Sequence, residues 1–278
     1  MIIHSDWHIH SEYSYDAKNT LEEIAEGAIK QGLRYVGITD HANMNDKKFI
    51  GDLHTSVDGV KRAQEKYPFM VLGVELTPIA KPMFDHIART GTLDGYVVTD
   101  PTNNGIELAA SKEELKVLGV RYAIGASHWV LKNFDASDLK GISGEWYRQQ
   151  MWLACDERVT VLGHPWYIGT GLWYDDFSVI PHSMSADIFA ALKENGKYIE
   201  CNSHFFHITR PEKTKNSDKF AHQYAEFLRE AFEMGIPVTY GSDSHINYGD
   251  SRQKVEECLA AAGFVDGDIS EIAEKDLW

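Results

Sequence analysis

"AIKQGLRYVGITDH" (residues 28–41) and "AFEMGIPVTYGSDSH" (residues 231–245) share one grammar, and it decides the fold. Each closes a helical stretch on a glycine, Gly32 or Gly235, and passes at once into an apolar, β-branched run. Glycine ends helices because it enters the left-handed conformation without a Cβ penalty. A continuous apolar run between helices belongs to a strand covered on both faces, hence to a parallel sheet. Both runs then end in acid and imidazole, Asp40-His41 and Asp243-Ser244-His245.

The same unit recurs along the chain. Apolar runs at 2–10, 34–41, 69–76, 95–100, 122–129, 159–166, 197–204 and 237–245 predict eight strands. The 95–100 run reads equally as one arm of a local hairpin, within a loop-rich segment 90–105 that suits a lid or an interface arm. Capping boxes at Thr20–Glu23 and Ser111–Glu114 open two helices that Gly32 and Gly119 stop. Further helices around 185–195 and 218–234 end at Gly196 and Gly235. No Pro- or Ser-rich linker interrupts the alternation, so residues 1–278 are expected to form a single domain.

Composition narrows the function. A net charge of −15 with no dense Lys/Arg cluster argues against a nucleic-acid partner. Bound divalent cations would offset several of those carboxylates. No apolar run approaches the roughly eighteen residues of a membrane span, and no basic-then-apolar leader is visible. Cys155, Cys201 and Cys258 are odd in number and widely spaced, which excludes a disulfide framework and a cysteine-built zinc site and suggests a reducing cytoplasm. The 13 histidines are numerous, so their placement matters.

They fall at strand ends. The runs finish in His8 and His10, in Asp40-His41, in Ser127-His128, in Gly163-His164, in Asn202 with His204, and in Asp243 with His245, while the third run carries Glu75. In a parallel α/β barrel all strand C-termini open on one face, where these side chains would converge. Residues two apart on a strand point the same way, so His8 with His10, and Asp243 with His245, can grip one ion while Ile9 packs on the other side. Imidazole and carboxylate suit zinc, manganese or iron, and Glu75 is placed to bridge two cations. His4 is expected to remain inside the barrel. His54, His86, His182 and His222 read as solvated, and His204 and His207 as able to reach a substrate.

In their order and spacing, "DWHIHSEYSYD", "GITDH", "GVE", "SHW", "GHPW", "ECN" and "GSDSH" resemble the PHP (polymerase and histidinol phosphatase) family over nearly the whole chain. The resemblance implies a distorted (β/α)7 TIM-like barrel with up to three divalent metals at the strand C-termini. It implies one metal held by His8, His10, Glu75 and Asp243, a second by Glu75, His128 and His164, and a third by Asp16, His41 and His245. Asp16 enters only through the resemblance, since an aspartate in a loop before a helix is ordinarily a cap. Asp6 and Asp40 are expected to orient ligating imidazoles.

The implied chemistry is hydrolysis of a small-molecule phosphate monoester, histidinol phosphate being one candidate. Glu75 would hold two ions together, and His10 or His245 would serve the leaving group as proton donor. Arg210 is placed to reach a phosphate, Asn202 to bond the ligands or the substrate, and His204 to touch the substrate. Trp129 and Trp166, each beside a candidate ligand, suit an apolar pocket wall. Two other classes remain open. An amidohydrolase-like barrel also begins with H-x-H, but usually bridges its metals with a carbamylated lysine, and no strand end here offers one. A non-catalytic metal-binding domain is the second.

Overall fold

The computed structural model describes residues 3–42, 47–92, 94–95, 105–131, 134–135, 137–167, 176–207 and 216–278. Seven parallel strands form one sheet: β1 (Asp6–Ile9), β2 (Val36–Ile38), β3 (Met70–Leu76), β6 (Tyr122–Gly125), β7 (Val161–Leu162), β8 (Tyr198–Asn202) and β9 (Val238–Gly241). Their spatial order is their chain order. The last strand returns to the first through a bridge between Ile9 and Ser244 and a 2.7 Å hydrogen bond from Asp243 N to His8 O, so the barrel is nearly closed. The expected seven-stranded barrel is present. The eighth predicted strand, 95–100, lies almost wholly outside the described residues, as does most of 90–105. A separate antiparallel pair, β4 (Ile79–Ala80) with β5 (Ile106–Glu107), flanks it.

Helices α1 (Leu21–Gln31), α2 (Lys47–Lys66), α3 (Lys81–Thr90), α4 (Lys112–Leu118), α5 (Leu139–Cys155), α6 (His182–Glu194), α7 (Ser217–Glu233) and α8 (Arg252–Ala261) surround the sheet. Helix α1 forms where local signals agree. Thr20 and Glu23 make a reciprocal capping box, worth about 1 kcal/mol. Leu21, Ile24, Ala25 and Ala28 bury one stripe, and Gly32 ends the helix at φ 69°. The Ser111–Glu114 box caps α4 in the same way. No described helix is long and apolar enough to cross a membrane.

The barrel interior is layered. Tyr122 lies over Gly73 and Gly37, where a Cβ at Gly37 would come within 1.7 Å of its hydroxyl, and donates to Trp7 O at 2.6 Å. With Ile124, Val161 and Tyr198 it forms an apolar plug. A register shift within β1 lets Trp7 join this plug while His8 and His10 still face inward and Ile9 packs outward. Glu75, paired in register with Ile124, stands one step above. His4 does not stay in the barrel: it lies below, with Nε2 2.6 Å from Asp266.

The strands are shorter than the apolar runs that predict them. The run 159–166 pairs only at Val161–Leu162, because His164 (φ 22°) and Trp166 (φ 65°) turn the chain off the sheet. Asp243 does the same after β9, at φ 54°. Left-handed non-glycine residues are costly. His164 and Asp243 aim their side chains into the barrel mouth, while Trp166 packs into the core.

Candidate metal centre

All nine metal-competent residues singled out in the sequence meet at the C-terminal mouth of the barrel. Glu75 is their hub. It is fully buried, and its Oε2 has no hydrogen-bond partner. That oxygen faces His8 Nε2 at 3.4 Å, His10 Nε2 at 3.2 Å and His41 Nδ1 at 2.9 Å. Its Oε1 faces His128 Nε2 at 3.2 Å and His164 Nε2 at 3.0 Å. One carboxylate thus addresses two groups of imidazoles, one with each oxygen.

Donor spacing tests whether these groups fit a cation. Ligands 2.0–2.1 Å from zinc in a tetrahedron lie about 3.3–3.4 Å from one another. Among His8 Nε2, His10 Nε2, Glu75 Oε2 and Asp243 Oδ1, five pairwise distances run from 3.1 to 3.6 Å. Asp16 Oδ2 lies 3.3 Å from His41 Nε2 and 3.4 Å from His245 Nε2, in a second donor group that His10 also borders. Glu75 with His41 and His128 makes the third, and His164 adds its Nε2 3.0 Å from Glu75 Oε1. The donor atoms and their spacing fit divalent cations.

Electrostatics agree. Burial opposes charge on Glu75, yet the imidazoles of His128, His41 and His8 hold its carboxyl well below the ordinary range. Burial likewise opposes protonation of His8, but Glu200, Asp243 and Glu75 raise it. His41 is pushed up to about 10, Glu75 and Asp16 outweighing its burial. His164 and His245 also shift upward despite their burial, whereas burial outweighs Glu75 and lowers His128. A buried cluster of carboxylates of this kind is one whose charge divalent cations would offset.

The imidazoles are held from behind, and not by the residues expected. Asp6 bonds main-chain N–H groups, of His8 at 3.3 Å and Ser242 at 2.9 Å, so it ties β1 to the end of β9 rather than orienting a ring. Asp40 accepts from Ser11 N, Ser11 Oγ and Ser56 Oγ, each at 2.6 Å, and fixes the loop after β1. Asp40 points away from His41 because adjacent residues of an extended chain face opposite sides. The partners that do face ring nitrogens are Glu200, 2.6 Å from His8 Nδ1, Thr77, 3.0 Å from His128 Nδ1, and the carbonyl of Asp243, 2.9 Å from His245 Nδ1. Glu200 and Thr77 were missed in the sequence. An acid inside the apolar run "YIECN", in phase with Asn202, was the available signal for Glu200.

Of the residues expected at the substrate, His204 stands on the lip, half exposed, with Nδ1 3.4 Å from Asp243 Oδ2. It borders a cavity of about 580 Å³ with Ser203, Ser242, His245 and Asn247. Asn202 is fully buried. Its amide donates to Asp243 Oδ2 at 3.1 Å and Glu200 Oε2 at 3.3 Å and accepts from His204 N, so it steadies the donor cluster and has no donor left for a substrate. Arg210 lies outside the described residues. Trp129 flanks His128, ring centroids 5.9 Å apart, whereas Trp166 is buried in the core rather than lining a pocket. Tyr15, 55% exposed, places its ring 5.3 Å from that of His41 at the rim. His54, His182 and His222 are exposed, as expected.

Fold and site define an α/β-barrel protein with a histidine–carboxylate centre at the strand C-termini. The PHP domain family matches residues 6–204, and the chain belongs to that family. A protein of Thermoanaerobacter sp. (strain X514) named "Probable phosphatase" is 27% identical over 259 residues, covering 91% of this chain and 83% of that one. Another of that name, from Acetivibrio thermocellus, is 41% identical over 61 residues, 22% of each chain. The solved histidinol phosphate phosphatase of Lactococcus lactis subsp. lactis Il1403, complexed with zinc, L-histidinol and phosphate, shares the fold. Its TM-score is 0.65 at 17% identity, covering 100% of this chain and 99% of that chain.

Proposed function

We infer that this protein is a metal-dependent phosphoesterase that hydrolyses a small-molecule phosphate monoester. The observation that carries the reading is Glu75: a fully buried carboxylate whose two oxygens meet five imidazole nitrogens within 3.4 Å.

The assigned ligands are His8, His10, Glu75 and Asp243 for one cation, Glu75, His128 and His164 for a second, and Asp16, His41 and His245 for a third. When bound, zinc, manganese or iron would neutralise phosphate oxygens and acidify the attacking water. Glu75, fully buried on β3, would hold neighbouring cations together. His245, with about a quarter of its side chain exposed at the rim, and the buried His10 are both assigned to cations through Nε2. His245 Nδ1 faces the carbonyl of Asp243, so with metal bound neither Nε2 carries a proton for the leaving alkoxide. His204 meets the leaving group from the lip. Arg210 follows the same strand and retains its role as a phosphate clamp from sequence alone. The whole chain acts as one barrel domain, and three free cysteines suit a reducing cytoplasm.

An amidohydrolase-like barrel usually bridges its metals with a carbamylated lysine, and here Glu75 is the buried group between the imidazoles. The buried Lys197 lies at the opposite end of β8, bonded to the carbonyls of Asp156 and Val159. Phosphate release from p-nitrophenyl phosphate by protein loaded with manganese, zinc or iron tests the activity. A panel of phosphorylated metabolites that includes histidinol phosphate then identifies the substrate. No release with any of these metals would overturn the reading.

A further inference from the structure

Glu200 lies in none of the donor groups, yet it touches two of them. On β8 it is 1% exposed, and its carboxylate sits beneath the metal centre. Oε1 is 2.6 Å from His8 Nδ1. Oε2 accepts the main-chain N–H of His164 at 2.5 Å, and Asn202 Nδ2 stands 3.3 Å away. His8 belongs to the group around Asp243 and His164 to the group around His128, so one carboxylate supports both. The chain clears space for it at Gly241: a Cβ there would come within 2.0 Å of Glu200 Oε1 and 2.6 Å of His8 Cβ.

We propose that Glu200 is a positioning residue that couples two metal positions by fixing the ring of His8 and the left-handed main chain of His164. A proton on His8 Nδ1, donated to Oε1, leaves the Nε2 lone pair aimed at the centre. The bond to Oε2 holds His164 at φ 22°, from which its ring reaches Glu75. Both bonds need an acceptor, so both carboxylate oxygens are required. The inference rests on the metal-dependent reading above and assigns no new ligand.

Glu200→Gln tests it, because an amide has only one acceptor oxygen. Either the amide nitrogen faces His8 Nδ1 and drives the ring proton to Nε2, or it faces the His164 N–H, donor against donor. Zinc affinity at two positions, measured by competition with a chelator, should fall about 10–100-fold, and elemental analysis should show fewer ions retained. The Asp16, His41 and His245 position should keep its ion. Nitrogen NMR of the zinc-loaded protein should show His8 protonated on Nδ1 in the wild type, and that signature disturbed in Glu200→Gln. Glu200→Asp keeps both acceptors on a shorter arm and should bind zinc with intermediate affinity, which also serves if the glutamine variant does not fold. Wild-type zinc affinity in Glu200→Gln, or equal losses in both variants, would overturn the coupling role alone. A wild-type protein that binds no zinc, manganese or iron would overturn the metal reading and this role with it.

Discussion

His8 Nε2 and His10 Nε2 lie 3.1 Å apart in a fully buried space that they share with Glu75 Oε2 and Asp243 Oδ1. One proton between the rings would satisfy that contact and leave the four contacts to the carboxylates uneven, whereas one cation satisfies all of them. His8→Ala should therefore lose an ion and reduce phosphatase activity by at least about 100-fold, with the circular-dichroism spectrum unchanged. Unaltered activity would refute the ligand assignment.

Bound cations stabilise only the folded chain. A site saturated to about 1,000 times its dissociation constant adds about 4 kcal/mol. Removing metal with a chelator should lower the melting temperature by several degrees, and adding zinc or manganese should restore it. A chelated protein that melts at the same temperature would argue against occupied sites.

Away from the centre, Arg158 holds Asp156 in a two-pronged pair, Nε to Oδ1 at 2.8 Å and Nη2 to Oδ2 at 2.7 Å, and also reaches Glu107 at 2.9 Å. Burial opposes charge on Asp156, but Arg158 outweighs it and lowers the carboxyl. A depressed carboxylate contributes stability that is fully present above its unfolded value, about 3.9, and is lost as pH falls through its folded value. Asp156→Asn should cost about 1–2 kcal/mol at pH 7, discounted for partial exposure. In urea unfolding of the metal-free protein the gap should persist down to about pH 4 and narrow below it.

Thr20 caps α1 through Glu23 N at 3.1 Å while Glu23 returns to Thr20 N at 2.8 Å. Thr20→Ala should destabilise by about 1 kcal/mol, read as a shifted urea midpoint with an unchanged slope and unchanged activity in the metal-loaded protein. A loss of activity at full folding would mean that α1 positions the site more directly than the capping bonds require.

Much of this centre was legible in the sequence because its cues are local. Glycine stops, capping boxes and apolar runs are properties of a few adjacent residues, and they placed His8, His10, His41, His128, His164, Asp243 and His245 at strand ends. Asp16 was different: it sits in a loop where a cap is the ordinary reading, and only the resemblance drew it in. Strand lengths were overestimated for a physical reason. Apolar character continues through 159–166, but the chain leaves the ladder after Leu162 to turn His164 inward.

The sequence by itself determined the alternation of helix and strand and the donors at the strand ends, since each follows from periodicity and residue chemistry over short spans, while the family resemblance implied the seven-stranded barrel and added Asp16. Only the tertiary structure decided which groups support those donors. Glu200 meets His8 across 192 positions of chain, while Asp40, next to His41, turns instead to Ser11 and Ser56. Neighbours along a strand face opposite sides, whereas closing the barrel brings its first and last strands side by side and sets the carboxylate of the penultimate strand beside His8.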